Sequence, residues 1–400
     1  MSVPKLRFKE FDGDWSNKKI GNIASKVGSG STPRGGAEAY TDHGIIFIRS
    51  QNVNNDQLLL DDVAYIPEET HVKMSGSKVI ANDILLNITG ASIGRSCVVP
   101  HDFTEANVNQ HVCIIRTPND DPIFVQSFLS SENGQNAIQS KQAGGGREGL
   151  NFQAIRSIDF HFPPSKEEQT KIASFLSAVD EKISQLTQKH QLLSQYKQGM
   201  MQKLFSQQLR FKADDGSEFG EWEEKELKEV AEINPKAKKL PANFIYIDLE
   251  SVEKGQLLLQ KNIELQDAPS RAQRLLAKGD VLFQMVRPYQ QNNYYFNLSG
   301  EYVASTGYAQ IRTKLDSKFI YYALHEKTFL DEVMNRCTGT SYPAINSSDL
   351  SSIEMFVPCL EEQTKIANFL SAIDQKIEVV AQQIEQAKQW KKGLLQQMFV

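Results

Sequence analysis

Hydrophobic positions along this chain follow two different rhythms. From Ile172 they step alternately by four and three, through Leu176, Val179, Ile183, Leu186, His190, Leu193, Lys197, Met200 and Leu204. The same series returns at Ile366, Leu370, Ile373, Ile377, Val380, Ile384, Ala387, Lys391, Leu394 and Met398. A sustained 4-3 seam predicts a helix packed on a partner helix, about 60 Å long at ~1.5 Å per residue. Lys197 and Lys391 occupy equivalent seam positions, where a cation weakens packing but can fix register. Elsewhere the rhythm is that of short strands bounded by Gly, Asn, Asp or Pro: GIIFIRSQNV, SKVIANDILLNI, QHVCIIRT and SIDFHF, then NFIYIDLES, KGDVLFQMV and YAQIRT. FVQSFLSSENGQNAI and FIYYALHEKTFLDEVMNRC carry helical spacing.

The two seams belong to a repeat. EEQTKIASFLSAVDEKI from Glu167 returns as EEQTKIANFLSAIDQKI from Glu361, and the match runs on through Tyr196/Trp390, Lys197/Lys391, Gly199/Gly393 and Phe205/Phe399. Identity at Gln169, Lys171 and Asp180 exceeds what apolar packing alone demands. Pro163, Pro164, Ser165 and Glu168 form a capping-box start for the first copy; Cys359 stands where the second would need the capping serine. Fainter echoes surround the helices: Leu6-Arg7-Phe8-Lys9 returns as Leu209-Arg210-Phe211-Lys212, and Trp15 as Trp222. This cyclic order predicts an α+β chain of two mixed α/β blocks, residues 1–164 and 207–358, and two long helices, 165–206 and 359–400. The helices should be antiparallel and coiled, with the blocks related by a pseudo-twofold axis.

Four hundred residues suit two or three domains. No apolar run approaches the ~18 residues of a membrane span and the start lacks a signal region, so a cytoplasmic protein is expected. Cys97, Cys113, Cys337 and Cys359 show no zinc spacing and are expected to be buried free thiols. Gly30 and Gly35 have Walker A spacing, but Gly36-Ala37 follow instead of lysine and a hydroxyl residue. Gly144-Gly145-Gly146 does not open a helix after a strand, and Asn234-Pro235-Lys236 is no adenine-methyltransferase loop. The seven histidines are scattered. No catalytic or metal site is expected.

The duplicated helices, the approach P-x(2-3)-EEQTKIA-x-FL, the GSTP loop at Gly30 to Pro33, and the GLNFQAI and PAINSSDL segments together resemble the specificity subunit of type I restriction-modification systems. The resemblance covers essentially the whole chain. It implies two target recognition domains, each reading half of a split sequence in double-stranded DNA. It also implies helices that set the spacing and dock two methyltransferase subunits, with restriction/translocase subunits joining the full complex. S-adenosylmethionine, ATP and magnesium would sit on those partners and no cofactor on this chain.

Arginine can grip guanine, and asparagine or glutamine adenine, through two hydrogen bonds. On that basis the expected DNA-contacting residues are Thr32, Arg34, Arg49, Gln51, Asn87, Arg95, Asn109, Gln110 and Arg147 in the first block. In the second they are Lys236, Lys238, Arg287, Tyr289, Gln291, Asn292, Tyr308 and Tyr342. Charge pulls the other way: the net is −5, and Arg210 to Glu232 carries nine acids against four bases. That segment should face away from DNA, leaving much of the phosphate attraction to partner subunits. A duplicated scaffold that binds proteins without reading DNA is the competing expectation; it leaves the Arg/Gln/Asn-rich loops without a role.

Overall fold

The structure, a computed structural model, describes residues 3–54, 56–142, 149–237 and 239–399. The chain divides into two compact units, Met1–Thr187 with Ala381–Val400, and Gln188–Val380. Both expected long helices form, over Lys166–Phe205 and Leu360–Met398. The units do not follow the helix ends, however, because each helix contributes to both. Every position of the two 4-3 seams is buried or half-buried.

The first unit contains two four-stranded sheets. One orders Ala64–Ile66, Ile45–Ile48, Ala106–Val108 and Lys78–Val79; the other orders Lys26–Ser29, Val112–Arg116, Ile84–Asn87 and Ser96–Val98. These runs are rich in Ile and Val, whose branched side chains suit a pleated, buried surface. Short helices Pro122–Ser130 and Glu132–Ser140 pack behind the second sheet, and Ser16–Lys19 pairs with Asp159–Phe162 beside the long helix. The second unit repeats this order. Its sheets run Lys261–Glu264, Asn243–Ile247, Tyr302–Ser305, Ala272–Leu275 and Ala231–Ile233, Tyr308–Thr313, Val281–Gln284, Tyr294–Tyr295.

The polar identities of the repeat are the points where each block grips its helix. In the first unit the buried Glu168 takes Arg7 Nε and Nη2 at 2.7 and 2.8 Å, and Trp15 Nε1 at 3.2 Å. In the second, Glu362 takes Arg210 at 3.1 and 2.7 Å and Trp222 at 3.1 Å. Gln169 Oε1 accepts from Asp121 N and Gln363 Oε1 from Asp316 N. Asp121 and Asp316 in turn cap the next helices, Pro122–Ser130 and Ser317–Ala323. Buried carboxylates survive only with such partners, since desolvation otherwise neutralises them. The aromatic end of each helix also docks alike: Phe399 lies 5.3 Å from Phe124 and Phe205 lies 5.7 Å from Phe319, ring centre to ring centre. Leu6 N donates to Gln397 O, so the N-terminal segment meets the end of the second helix as the cyclic order predicts.

Ser165 caps the first helix through Glu168 N at 3.2 Å. Among the described residues Cys359 supplies no such bond and, contrary to expectation, it is exposed; Cys97 and Cys113 are buried and Cys337 half-buried, all free. Among the described residues no helix is long and apolar enough to cross a membrane.

Candidate nucleic-acid interface

Strand register gathers most of the expected contact residues onto one rim in each unit. In the first, Ile45–Ile48 runs parallel to Ala106–Val108, with Ile48 opposite Val108. Val112–Arg116 runs antiparallel to its neighbours, with Val112 opposite Asn87 and Cys113 opposite Ser29. The ends of Lys26–Ser29, Ile45–Ile48, Ile84–Asn87 and Ala106–Val108 therefore emerge together, around the turn Asn109–His111. Backbone bonds close the cluster: Gly30 N to Asn109 O at 3.1 Å, Asn109 N to Ile48 O at 3.1 Å, and Asn87 N to Arg95 O at 2.8 Å. Gly30 is required there, since a Cβ on it would lie 1.7 Å from Val108 O.

On this rim Thr32, Arg34, Gln51, Arg95 and Gln110 are exposed and Arg49 half-buried. Thr32 Oγ1 donates to Gln110 Oε1, Gln110 Nε2 meets His111 Nε2 at 3.0 Å, and His111 Nδ1 meets Thr89 Oγ1 at 2.6 Å. The result is a continuous line of amide, hydroxyl and imidazole groups. His111 and Thr89 were missed in the sequence because neither has a patterned neighbour along the chain. Gln51 Nε2 bonds Asp62 at 2.8 Å and Arg49 lies 3.7 Å from the same carboxylate. Among the described residues Arg34 and Arg95 have no carboxylate partner. Asn87 and Asn109 correct the expectation: both are buried, Asn87 Nδ2 donating to Ser50 O at 2.8 Å and Asn109 Oδ1 accepting from His111 N at 2.9 Å. They brace the loops that carry the exposed groups. Arg147 lies outside the described residues.

The second rim forms by the same register, with Ile247 opposite Ala304 and Gln284 opposite Tyr308. Arg287 stands in the left-handed region at φ 54, beside Pro288, and its N donates to Pro343 O at 2.7 Å. Its guanidinium carbon lies 4.3 Å from the ring centre of Tyr342, which is 63% exposed. A stacked guanidinium keeps its edge donors free while losing rotamer freedom. Gln291 is also left-handed, at φ 52, so the turn Pro288–Gln290 is bracketed by two strained residues. The buried Gln284 braces it, donating to Gln290 Oε1 at 2.9 Å and accepting from Asn292 N at 3.0 Å. Tyr289 and Lys236 are exposed. Tyr308 is a correction: it is fully buried, its hydroxyl donating to Asp248 O at 3.4 Å, and burial pushes its pKa up. Lys238 lies outside the described residues.

Behind this rim His325 is half-buried, its Nδ1 2.7 Å from Tyr321 O and its Nε2 3.3 Å from Asn293 Nδ2. Burial first, and the charge of Lys197 after it, push its pKa down to about 4 against the hydrogen bond to Tyr321, so it is neutral at pH 7. The acidic segment 210–232 pairs part of its negative charge, through Lys212–Glu218 at 2.8 Å and Lys365–Asp214 at 2.5 Å, while its Arg210 is taken by Glu362 of the second long helix.

The family model of the type I restriction modification DNA specificity domain matches residues 12–195 and 220–389. The type I restriction enzyme MjaVIII specificity subunit of Methanocaldococcus jannaschii is 26% identical over 348 residues, spanning 81% of this chain and 80% of that protein. The putative MjaX specificity subunit of the same organism is 24% identical, spanning 98% of this chain and 94% of that protein. Among solved structures, the type I restriction-modification S subunit from M. genitalium superposes with a TM-score of 0.63 at 16% identity, over 100% of this chain and 99% of that one.

Proposed function

This chain belongs to the family of the type I restriction modification DNA specificity domain, and from that premise we propose that its two rims read the two halves of a split DNA target. The observation that carries this reading is the duplication itself. Two blocks share one topology and one set of helix anchors, yet differ in the chemistry of their rim loops. Selection for stability alone gives no reason to keep the framework and vary the rim. A scaffold that binds only proteins leaves both the stacked Arg287 and the amide line at Gln110 unused.

In this reading the long helices pack antiparallel, with the blocks related by a pseudo-twofold axis. Phe175 beside Trp390 and Asp180 beside Lys391 in the first unit, and Lys197 beside Asp374 in the second, support that direction. Two equivalent helix surfaces suit two copies of one methyltransferase subunit, and restriction subunits would join that core. Catalysis, with S-adenosylmethionine, ATP and magnesium, belongs to those partners, and the complex works in the cytoplasm. The donors of the exposed Arg34 and Arg95 and of the half-buried Arg287 supply base contacts, while much of the phosphate attraction comes from partner subunits.

Docking and reading can be separated. Replacing Ile373 and Ile377 together by Asp puts charge into a buried seam and should abolish co-purification with the methyltransferase, measured as complex mass by size exclusion. Arg287→Ala should leave that mass unchanged. A seam variant that assembles normally would refute the docking role of the helices.

A further inference from the structure

Lys391 of the second long helix makes a contact that the repeat does not account for. Its ammonium lies 2.6 Å from Asp180 Oδ1 and 2.8 Å from Asp56 Oδ2, with its side chain 15% exposed. The Asp180 contact is duplicated: Lys197 and Asp374, at the equivalent positions, stand 2.6 Å apart in the second unit. Asp56 belongs to neither helix. It sits at the tip of the hairpin in which Val53 pairs with Leu58 and Asn54 with Gln57. That hairpin continues directly from Arg49, Ser50, Gln51 and Asn52 on the reading rim.

The tip is held from several sides. Asp56 Oδ1 also accepts from Gln126 Nε2 at 2.8 Å and from Ser130 Oγ at 2.5 Å. Its backbone is left-handed at φ 61, a conformation that an aspartate keeps only when its surroundings impose it. Burial raises the carboxyl's pKa, but the Lys391 charge and the hydrogen bonds from Lys391, Ser130 and Gln126 outweigh it and hold the group below the usual carboxylate value. The base of the hairpin is fixed too, since Asn52 accepts from Arg49 N and donates to Leu59 O and Asp62 O. Hairpin and rim turn are thus braced as one piece, and Lys391 grips its far end.

Among the described residues the second unit lacks this grip. Its hairpin, Val252–Glu253 with Gln256–Leu257, carries Lys254 and Gly255 at the tip, both at positive φ. A lysine there cannot pair with the seam lysine. Instead Lys254 N donates to Asn292 Oδ1 at 3.0 Å, and the hairpin's bond to the second helix, Gln256 Nε2 to Glu378 Oε2 at 2.6 Å, is exposed. Lys197 lies over the Tyr322 ring, 5.2 Å from its centre.

We infer that Lys391 is a positioning residue for DNA reading: through Asp56 the second long helix sets the placement of Arg49 and Gln51, whereas its counterpart Lys197 sets no reading loop. The inference rests on the rims being DNA-reading surfaces. A side chain displaced by about an ångström loses a two-bond base contact, so specificity in the half read by the first block should fall roughly tenfold.

The test is selection from a random duplex library, read by sequencing, with the chain bound to its methyltransferase subunit. Arg287→Ala marks the half read by the second block. Lys391→Met and Asp56→Asn should each blur the other half about tenfold; Lys391→Arg should restore it, and Lys197→Met should leave both halves sharp. Should Lys391→Met unfold, Asp56→Asn carries the test, because it keeps the helix seam intact. Retention of both halves by Asp56→Asn, or equal blurring by the Lys391 and Lys197 variants, would overturn the inference. A wild-type complex that enriches no motif would instead sink the DNA-reading premise, and the inference with it.

Discussion

The two units hang the same sheets on the same helix residues but present different chemistry to solvent. The first rim carries a hydrogen-bonded line from Thr32 through Gln110 and His111 to Thr89. The second carries a turn strained at both ends, with a guanidinium laid on a tyrosine. What is shared is buried and paired, and most of what differs lies on the exposed or half-buried rims. Grip and reading are therefore built largely from separate residues, and in the first unit Lys391 and Asp56 join the two.

The largest effects should come from the shared part. Arg7→Met and Arg210→Met each leave a buried glutamate, Glu168 or Glu362, without its cation, and such breaks cost about 3 to 5 kcal/mol. Calorimetric unfolding of the two variants should show similar losses. A large loss for one and none for the other would show that the two anchors differ in kind.

A middling effect should separate the units by pH. His325 is neutral in the folded second unit with a pKa near 4, below its ordinary 6.5, so the unfolded chain takes up the proton first as pH falls. Stability is therefore lost as pH drops from about 6.5 toward 4, by about 2 kcal/mol between pH 7 and pH 5. His325→Gln should remove that part of the slope. An unchanged slope would mean that the imidazole does not control it.

The smallest effect concerns the helix starts. Ser165→Ala should cost about 1 kcal/mol, while Cys359→Ser should add a cap of similar worth to the second helix. Urea midpoints that moved in the same direction for both would contradict the asymmetry.

Much of this architecture is legible in the sequence. The 4-3 seam foretells both helices, and the repeated Glu, Gln, Asp and Lys mark the grips before any partner is known. The equivalence of the blocks is harder to read, because strands pair through backbone and tolerate any apolar side chain, so only short markers survive, such as LRFK, the tryptophan, and the GLNFQAI and PAINSSDL approaches. Site residues are least legible. Asn87, Asn109 and Tyr308 look like loop readers in sequence, but pairing between distant strands buries them, and nothing local records that. His111 and Asp56 escape for the opposite reason: their partners, Thr89 and Lys391, are near only in space.

The account's central claim is that each block reads one half of a split target. Its most direct test is a map of methylated adenines in cells carrying this chain with its methyltransferase, for the wild type and for Arg287→Ala. The account predicts a motif of two defined parts separated by unspecified bases, with Arg287→Ala relaxing one part by about 1 to 3 kcal/mol of discrimination and sparing the other. A single uninterrupted motif, or loss of both parts together in the variant, would contradict it.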